Sequence, residues 1–114
     1  MYIRLYKKGM DKVVVAGFDW DGGNRAKCAK HGVSTGEIEA LFRTGPAVAP
    51  DIAHSAEEDR LIAVGRSAEG RPLFVAFTWR VRAGQRLIRP VSARYMHKKE
   101  IEAYEKKGPQ AQER

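Results

Sequence analysis

Cysteine is almost absent from this chain: Cys28 is the one cysteine among 114 residues. A lone cysteine closes no internal disulfide, and no CxxC or Cys/His spacing offers a zinc site. That usage fits a reducing, cytoplasmic compartment. Long apolar runs are missing too. The stretch at residues 13–18 is too short for a signal or membrane segment and reads better as a strand. The three histidines, His31, His54 and His97, lie far apart with no HxxxH or HExxH pattern, so no metal site is expected. No P-loop, GxGxxG or GxSxG occurs, and no cofactor is expected. Acidic residues are scarce relative to basic ones, 14 against 21, for a net charge of +7. The isoelectric point is near 9.8. A surplus of that size attracts polyanions and speeds their association without making it specific.

What is present suits one compact domain with a modest core. Residues 13–20 are rich in β-branched and aromatic side chains and predict a first strand. Asp21-Gly22-Gly23-Asn24 is a turn, followed by a short helix at 25–31 that Gly32 closes as a left-handed C-cap. Ser34-Thr35-Gly36-Glu37 matches a capping box and starts a second helix, with Ile38, Leu41 and Phe42 on its inward face. Residues 47–49 form a short strand, and 50–59 a polar loop. Three strands follow at 60–66, 72–80 and 86–94, joined by Gly-containing connections that imply antiparallel hairpins. A last helix covers 97–106, with Ile101 and Tyr104 facing in. The domain therefore spans 13–107. Residues 1–12 form an extension, which either adds an edge strand through Tyr2, Ile3 and Leu5 or stays loose. Residues 108–114 form a flexible tail.

Symmetric turns would pair Arg66 with Pro72 and Arg80 with Arg86. Paired residues share a face, and faces alternate along a strand. One face then carries Leu61, Ala63, Leu73, Val75, Phe77, Trp79, Leu87, Val91 and Ala93, with Arg89 as an exception. This is the core face, which the helices should cover. The other carries Arg60, Arg66, Arg80, Arg86 and Arg94 around an apolar centre that includes Phe74. Guanidinium groups engage phosphates in bidentate fashion and stack on bases, so this face is a candidate RNA platform. A slip of one residue in the register would exchange the faces. Arginine at a strand end is also ordinary, because its stem covers apolar surface.

Lys30-His31 is the candidate pair for proton transfer. A helix C-terminus favours a protonated imidazole, although basic residues there are also simply good capping. His54, Glu57 and Glu58 sit in the polar loop and read as solvated. His97 heads the last helix, where the dipole opposes its protonation, and reads as structural or as a weak phosphate contact. Cys28 reads as packed.

Taken in order, Phe18-Asp19-Trp20-Asp21, Gly23-Asn24, Lys27-Cys28, Lys30-His31-Gly32-Val33, Ile62-Ala63-Val64-Gly65-Arg66, Val75-Ala76-Phe77-Thr78 and Ser92-Ala93-Arg94 resemble the BrnT toxins. These are the ribonuclease halves of type II toxin–antitoxin pairs. The resemblance spans about residues 17–104. The usual family start lies near Phe18, so residues 1–12 depart from it. The resemblance implies a RelE-like α+β fold, a small antiparallel sheet with helices on one face. It also implies metal-independent endoribonuclease activity, in which a 2′-hydroxyl attacks the adjacent phosphate. In that reading His31 or Lys30 transfers protons, Arg66 and Arg94 hold the phosphate, and Arg80 places the strand. Arg60, Arg86 and Phe74 complete the RNA-binding face. The implied partner is a BrnA-type antitoxin, as two toxins around an antitoxin dimer, with DNA contacted only through the antitoxin and no membrane. The alternatives are a non-enzymatic nucleic-acid-binding module and a protein whose main business is holding the antitoxin.

Overall fold

The computed structural model describes residues 3–5, 13–51 and 59–107. Its elements are β1 (Ile3–Leu5), β2 (Val13–Val15), β3 (Gly17–Phe18), α1 (Gly22–Ala29), α2 (Thr35–Arg43), β4 (Ala47–Pro50), β5 (Leu61–Arg66), β6 (Pro72–Arg82), β7 (Gln85–Tyr95) and α3 (Lys98–Lys107). They form an α+β fold around a five-stranded sheet of order β3-β7-β6-β5-β4. Its neighbours are antiparallel except β3, which runs parallel to β7. The predicted strand at 13–20 breaks at Ala16, whose N–H donates to the Arg86 carbonyl at 2.8 Å. Its first part, β2, pairs with β1 in a separate two-stranded sheet, so Ile3–Leu5 does not extend the edge of the main one. The rest of the extension, the loop side chains His54, Glu57 and Glu58, the side chain of Tyr104, and the tail lie outside the described residues.

The β6–β7 hairpin turns through Ala83-Gly84, with φ of 52° and 77°. Two consecutive left-handed residues make a primed turn, whose twist matches that of the flanking strands. Arg82 therefore pairs with Gln85, and Arg80 with Leu87 rather than Arg86. Arg66 pairs with Pro72 as expected. The one-residue slip exchanges the faces of residues 85–90. Ile88 and Pro90 enter the core, while Leu87 and Arg89 move to the opposite face. Arg86, expected on the arginine-rich face, lies instead on the core side, with its guanidinium carbon 5.2 Å from the Trp79 ring centroid. The exception at Arg89 thereby disappears. The ladder then shifts between Ala76/Ser92 and Phe77/Pro90, which leaves Val91 as the extra residue of a bulge. Pro90 has no N–H for the ladder, and bulges are where sheets tolerate proline. Above the bulge the expected faces return, with Val75 opposite Ala93 and Phe74 opposite Arg94.

Local chemistry sets both early helices. The Asp21 side chain accepts from the Asn24 N–H, and the Asn24 side chain accepts in return from the Asp21 N–H. Ser34 and Glu37 form the same reciprocal cap on α2. Cys28, Val33, Ile38, Leu41 and Phe42 then cover the core face of β5–β7. Phe18, Phe42, Phe77 and Trp79 form a chain of tilted and edge-on rings with centroids 5.8, 4.9 and 5.4 Å apart. Gly65 allows a close approach here: a Cβ on it would come within 2.7 Å of the Leu41 Cδ1, so the Leu41 side chain would have to shift.

Helix α3 departs from the expected one-sided arrangement. Ile101 and Met96 pack on the other face, against Ile62, Val64 and Phe74. That face has its own apolar centre, and covering each large aliphatic side chain is worth about 1.5–3 kcal/mol. The Met96 N–H donates to the Pro72 carbonyl at 3.0 Å, so the chain stays on the sheet until it enters α3.

Candidate nucleic-acid interface

Asn24 anchors the site. It is buried, and its Nδ2 donates to the carbonyls of Asp19 and Pro90 at 2.9 Å each. Its Oδ1 accepts from the Asp21 N–H at 2.7 Å. One amide thus ties the start of α1 to β7 beside the bulge. An open cleft of about 240 Å³ lies between α1 and the outer face of β6–β7. Lys27 reaches it from α1, Thr78 and Arg80 from β6, and Arg89 from β7. Thr78 is buried and donates its hydroxyl hydrogen to the Asp59 carbonyl at 2.7 Å. Arg80 donates to the Trp79 carbonyl at 2.9 Å.

Arg89 is fixed by two carboxylates. Its Nη1 lies 3.2 Å from Asp19 Oδ2 and its Nη2 3.0 Å from Asp21 Oδ2. Arg82 reaches the same Asp19 oxygen at 3.3 Å. The Asn24 N–H holds the Asp21 carboxyl below its usual range, with burial opposing and Arg89 assisting. Burial disfavours the charged Arg89 guanidinium, but Asp21 and Asp19 outweigh it, so its affinity for the proton rises.

The other end of the sheet holds Arg66 and Arg94. Arg66 is exposed and donates from Nη1 to the Gly70 carbonyl at 3.0 Å. Arg94 donates from both terminal nitrogens to the two oxygens of Glu100 on α3, at 2.8 Å each. Its guanidinium carbon also lies 4.3 Å from the Phe74 ring centroid. Its side chain keeps 38% of its exposure, so the guanidinium is reachable but engaged. The Arg94 hydrogen bonds hold the Glu100 carboxyl low, against burial. The expected open platform at the centre of this face is therefore covered: Ile62 and Val64 are buried, and Phe74 lies beneath Arg94 and beside α3. Arg60 sits just before β5, at the other end of that strand from Arg66, its Nε 3.9 Å from Asp51.

A third group belongs to this end. The Tyr95 hydroxyl donates to Glu37, with oxygens at 2.8 and 3.0 Å, and the Arg71 guanidinium carbon lies 3.4 Å from the Tyr95 ring centroid. Burial pushes the Tyr95 phenol up and Glu37 adds to it. Burial raises Glu37 as well, but the Ser34 N–H, the Tyr95 hydroxyl, the Ser34 hydroxyl and Arg71 together bring it below its usual range. Lys30 and His31 are exposed on the turn after α1, which Gly32 completes at φ 84°. That turn leads to Ser34, and Ser34 leads through Glu37 to Tyr95, which pairs with Leu73 and packs on the core face, whereas Arg94 beside it in β7 lies on the other face. His97 is exposed at the start of α3. Burial pushes the Cys28 thiol up to about 11, which makes it a packing residue and not a nucleophile.

Sequence reasoning missed Asp19, Lys27, Arg71, Tyr95 and the role of Arg89. The one signal in the sequence was Arg89 itself, an arginine out of place on a core face. Among the described residues no three His, Cys, Asp or Glu side chains are grouped to hold a metal. No described helix is long and apolar enough to cross a membrane.

A search of curated proteins returned no match. A family model described as "Ribonuclease toxin, BrnT, of type II toxin-antitoxin system" matches residues 20–100. The match covers α1 and α2, the strands β4–β7 and the first turn of α3, including all the residues that line the cleft. The chain belongs to the BrnT family of ribonuclease toxins of type II toxin–antitoxin systems.

Proposed function

We propose that this toxin is a metal-independent endoribonuclease that cuts RNA by attack of a 2′-hydroxyl on the adjacent phosphate. The observation that carries the reading is the guanidinium set at the Arg66–Arg94 end of the sheet, in a chain of this family. A base removes the 2′-hydroxyl proton, the oxygen bonds to phosphorus, and the P–O5′ bond breaks. An acid then protonates the departing 5′-oxygen. The products are a 2′,3′-cyclic phosphate and a 5′-hydroxyl. His31 or Lys30 transfers the protons, and Arg66 and Arg94 hold the phosphate and stabilise the extra charge of the phosphorane. Arg80 places the strand. A substrate phosphate displaces the Glu100 carboxylate from the Arg94 fork, since either anion fits it in bidentate fashion.

The test is RNA cleavage by purified protein in EDTA. The Arg66→Ala/Arg94→Ala double variant should lose orders of magnitude in rate while remaining folded, and His31→Ala should also lose rate. Full activity in the folded double variant overturns the site, and loss of wild-type activity in EDTA points to a metal. Glu100→Gln should tighten RNA binding severalfold, because the amide competes less well for Arg94. The Arg94–Glu100 pair also favours a second reading, a binding module whose arginine is structural. RNA binding that is salt-sensitive but never followed by cleavage supports that reading.

The partner in this proposal is a BrnA-type antitoxin that covers the same face, two toxins around an antitoxin dimer, with DNA reached only through the antitoxin. The toxin alone is then a monomer in the cytoplasm. A stable interface buries at least about 1,000 Å², which on a domain this small overlaps the active face. Arg66→Glu and Arg80→Glu should weaken both RNA and antitoxin binding. Lost cleavage with unchanged antitoxin affinity places inhibition on another surface.

A further inference from the structure

We infer that the cleft between α1 and the outer face of β6–β7 is a second phosphate seat, for an RNA backbone phosphate several nucleotides from the bond that is cut. The inference rests on the ribonuclease reading and adds to it a subsite and two residues, Lys27 and Arg89. Cationic side chains from three separate elements, Lys27, Arg80 and Arg89, line one depression. Its volume of about 240 Å³ is several times a water molecule's share of about 30 Å³, enough for a phosphodiester group with part of its sugar.

The seat is distinct from the Arg94 end. Arg94 pairs with Phe74, and Arg80 lies six positions further along β6. At about 3.3 Å per residue that is about 20 Å. The two arginines thus stand on backbone positions about 20 Å apart, a separation that a strand of several nucleotides spans.

The seat is also rigid before anything binds. Asn24 holds α1 to Asp19 and Pro90, and Arg89 is held by Asp19 and Asp21. A preorganised site loses little entropy on binding. Arg89 already faces those carboxylates and Arg80 donates to the Trp79 carbonyl, so a phosphate adds to cations that are partly engaged, with Lys27 reaching in from the exposed side of α1. That suits the single negative charge of a phosphodiester. It also predicts length selectivity: a long substrate reaches the seat and a short one does not.

The experiment compares kcat/KM for two RNAs with the same scissile step, one of roughly twelve nucleotides and one a trinucleotide. Wild-type protein should prefer the longer one. In Lys27→Ala/Arg80→Ala, with folding checked by its urea midpoint, the long-to-short ratio should fall about tenfold. The slope of log KM against log salt on the long substrate should also become shallower. A ratio equal to that of the wild type overturns the seat. Should wild-type protein cleave neither RNA, the ribonuclease reading fails on its own. The seat is then read from the affinity of the longer oligonucleotide by fluorescence anisotropy, where an unchanged Kd in the double variant overturns it. Dependence on Lys27 and Arg80 for an acidic peptide but not for RNA overturns it as well.

Discussion

Arg89 shows how one side chain reports on a whole register. Read with symmetric turns it intrudes on a core face; in the fold it lies outside, between Asp19 and Asp21. Its side chain is 19% exposed, so the pairs lie between the weak surface kind and the costly buried kind. Arg89→Met should destabilise the protein by about 2 kcal/mol, between the loss of an exposed pair and of a buried one, read from urea unfolding, because the mostly buried Asp19 loses one of its two arginines. Acid should act through the carboxylates held low in the fold. Glu37, Glu100 and Asp21 all sit below their ordinary values, so their contribution is complete above about pH 4–5 and is lost as pH falls through the folded values. Glu100→Gln should therefore lose less of its stability than the wild type between about pH 5 and 3, and equal losses would exclude Glu100 from the acid response.

At the scale of elements, what is local was legible. The Ser34–Glu37 box and the α2 stripe of Ile38, Leu41 and Phe42 are written within ten residues and appear as expected. Ser34→Ala should cost about 1 kcal/mol. The β6–β7 register was not legible, since primed turns are announced by Asn-Gly or Asp-Gly and this one uses Ala83-Gly84. Ala83 carries a left-handed φ that alanine disfavours, so Ala83→Asn should stabilise the fold by about 0.5–1 kcal/mol. A lower urea midpoint in that variant would contradict the turn geometry. The side taken by α3 was equally hidden. Ile101 and Tyr104 stand among lysines and glutamates, and so short a stripe marks an inward side of the helix without naming the sheet face it meets. The cleft depends on Asn24 reaching a carbonyl 66 positions away, a contact no local pattern announces.

For the whole molecule, the net charge of +7 and the sidedness of the sheet work together. Helices α1 and α2 bury the core face, α3 covers the centre of the other, and the cationic groups lie at its two ends. An RNA strand that crosses this face meets Arg66 and Arg94 at one end and Lys27 and Arg80 at the other, so affinity should fall steeply with salt. The central claim is that the chain cuts RNA through the RNA's own 2′-hydroxyl. The most direct measurement maps the cut sites in an RNA incubated with the protein in EDTA, and compares it with the same RNA carrying a 2′-deoxy nucleotide at one such site. The account predicts 2′,3′-cyclic phosphate ends on the all-ribose strand and no cut at the substituted position. Cleavage that persists at the deoxy position, or that vanishes for the all-ribose strand in EDTA, would contradict it.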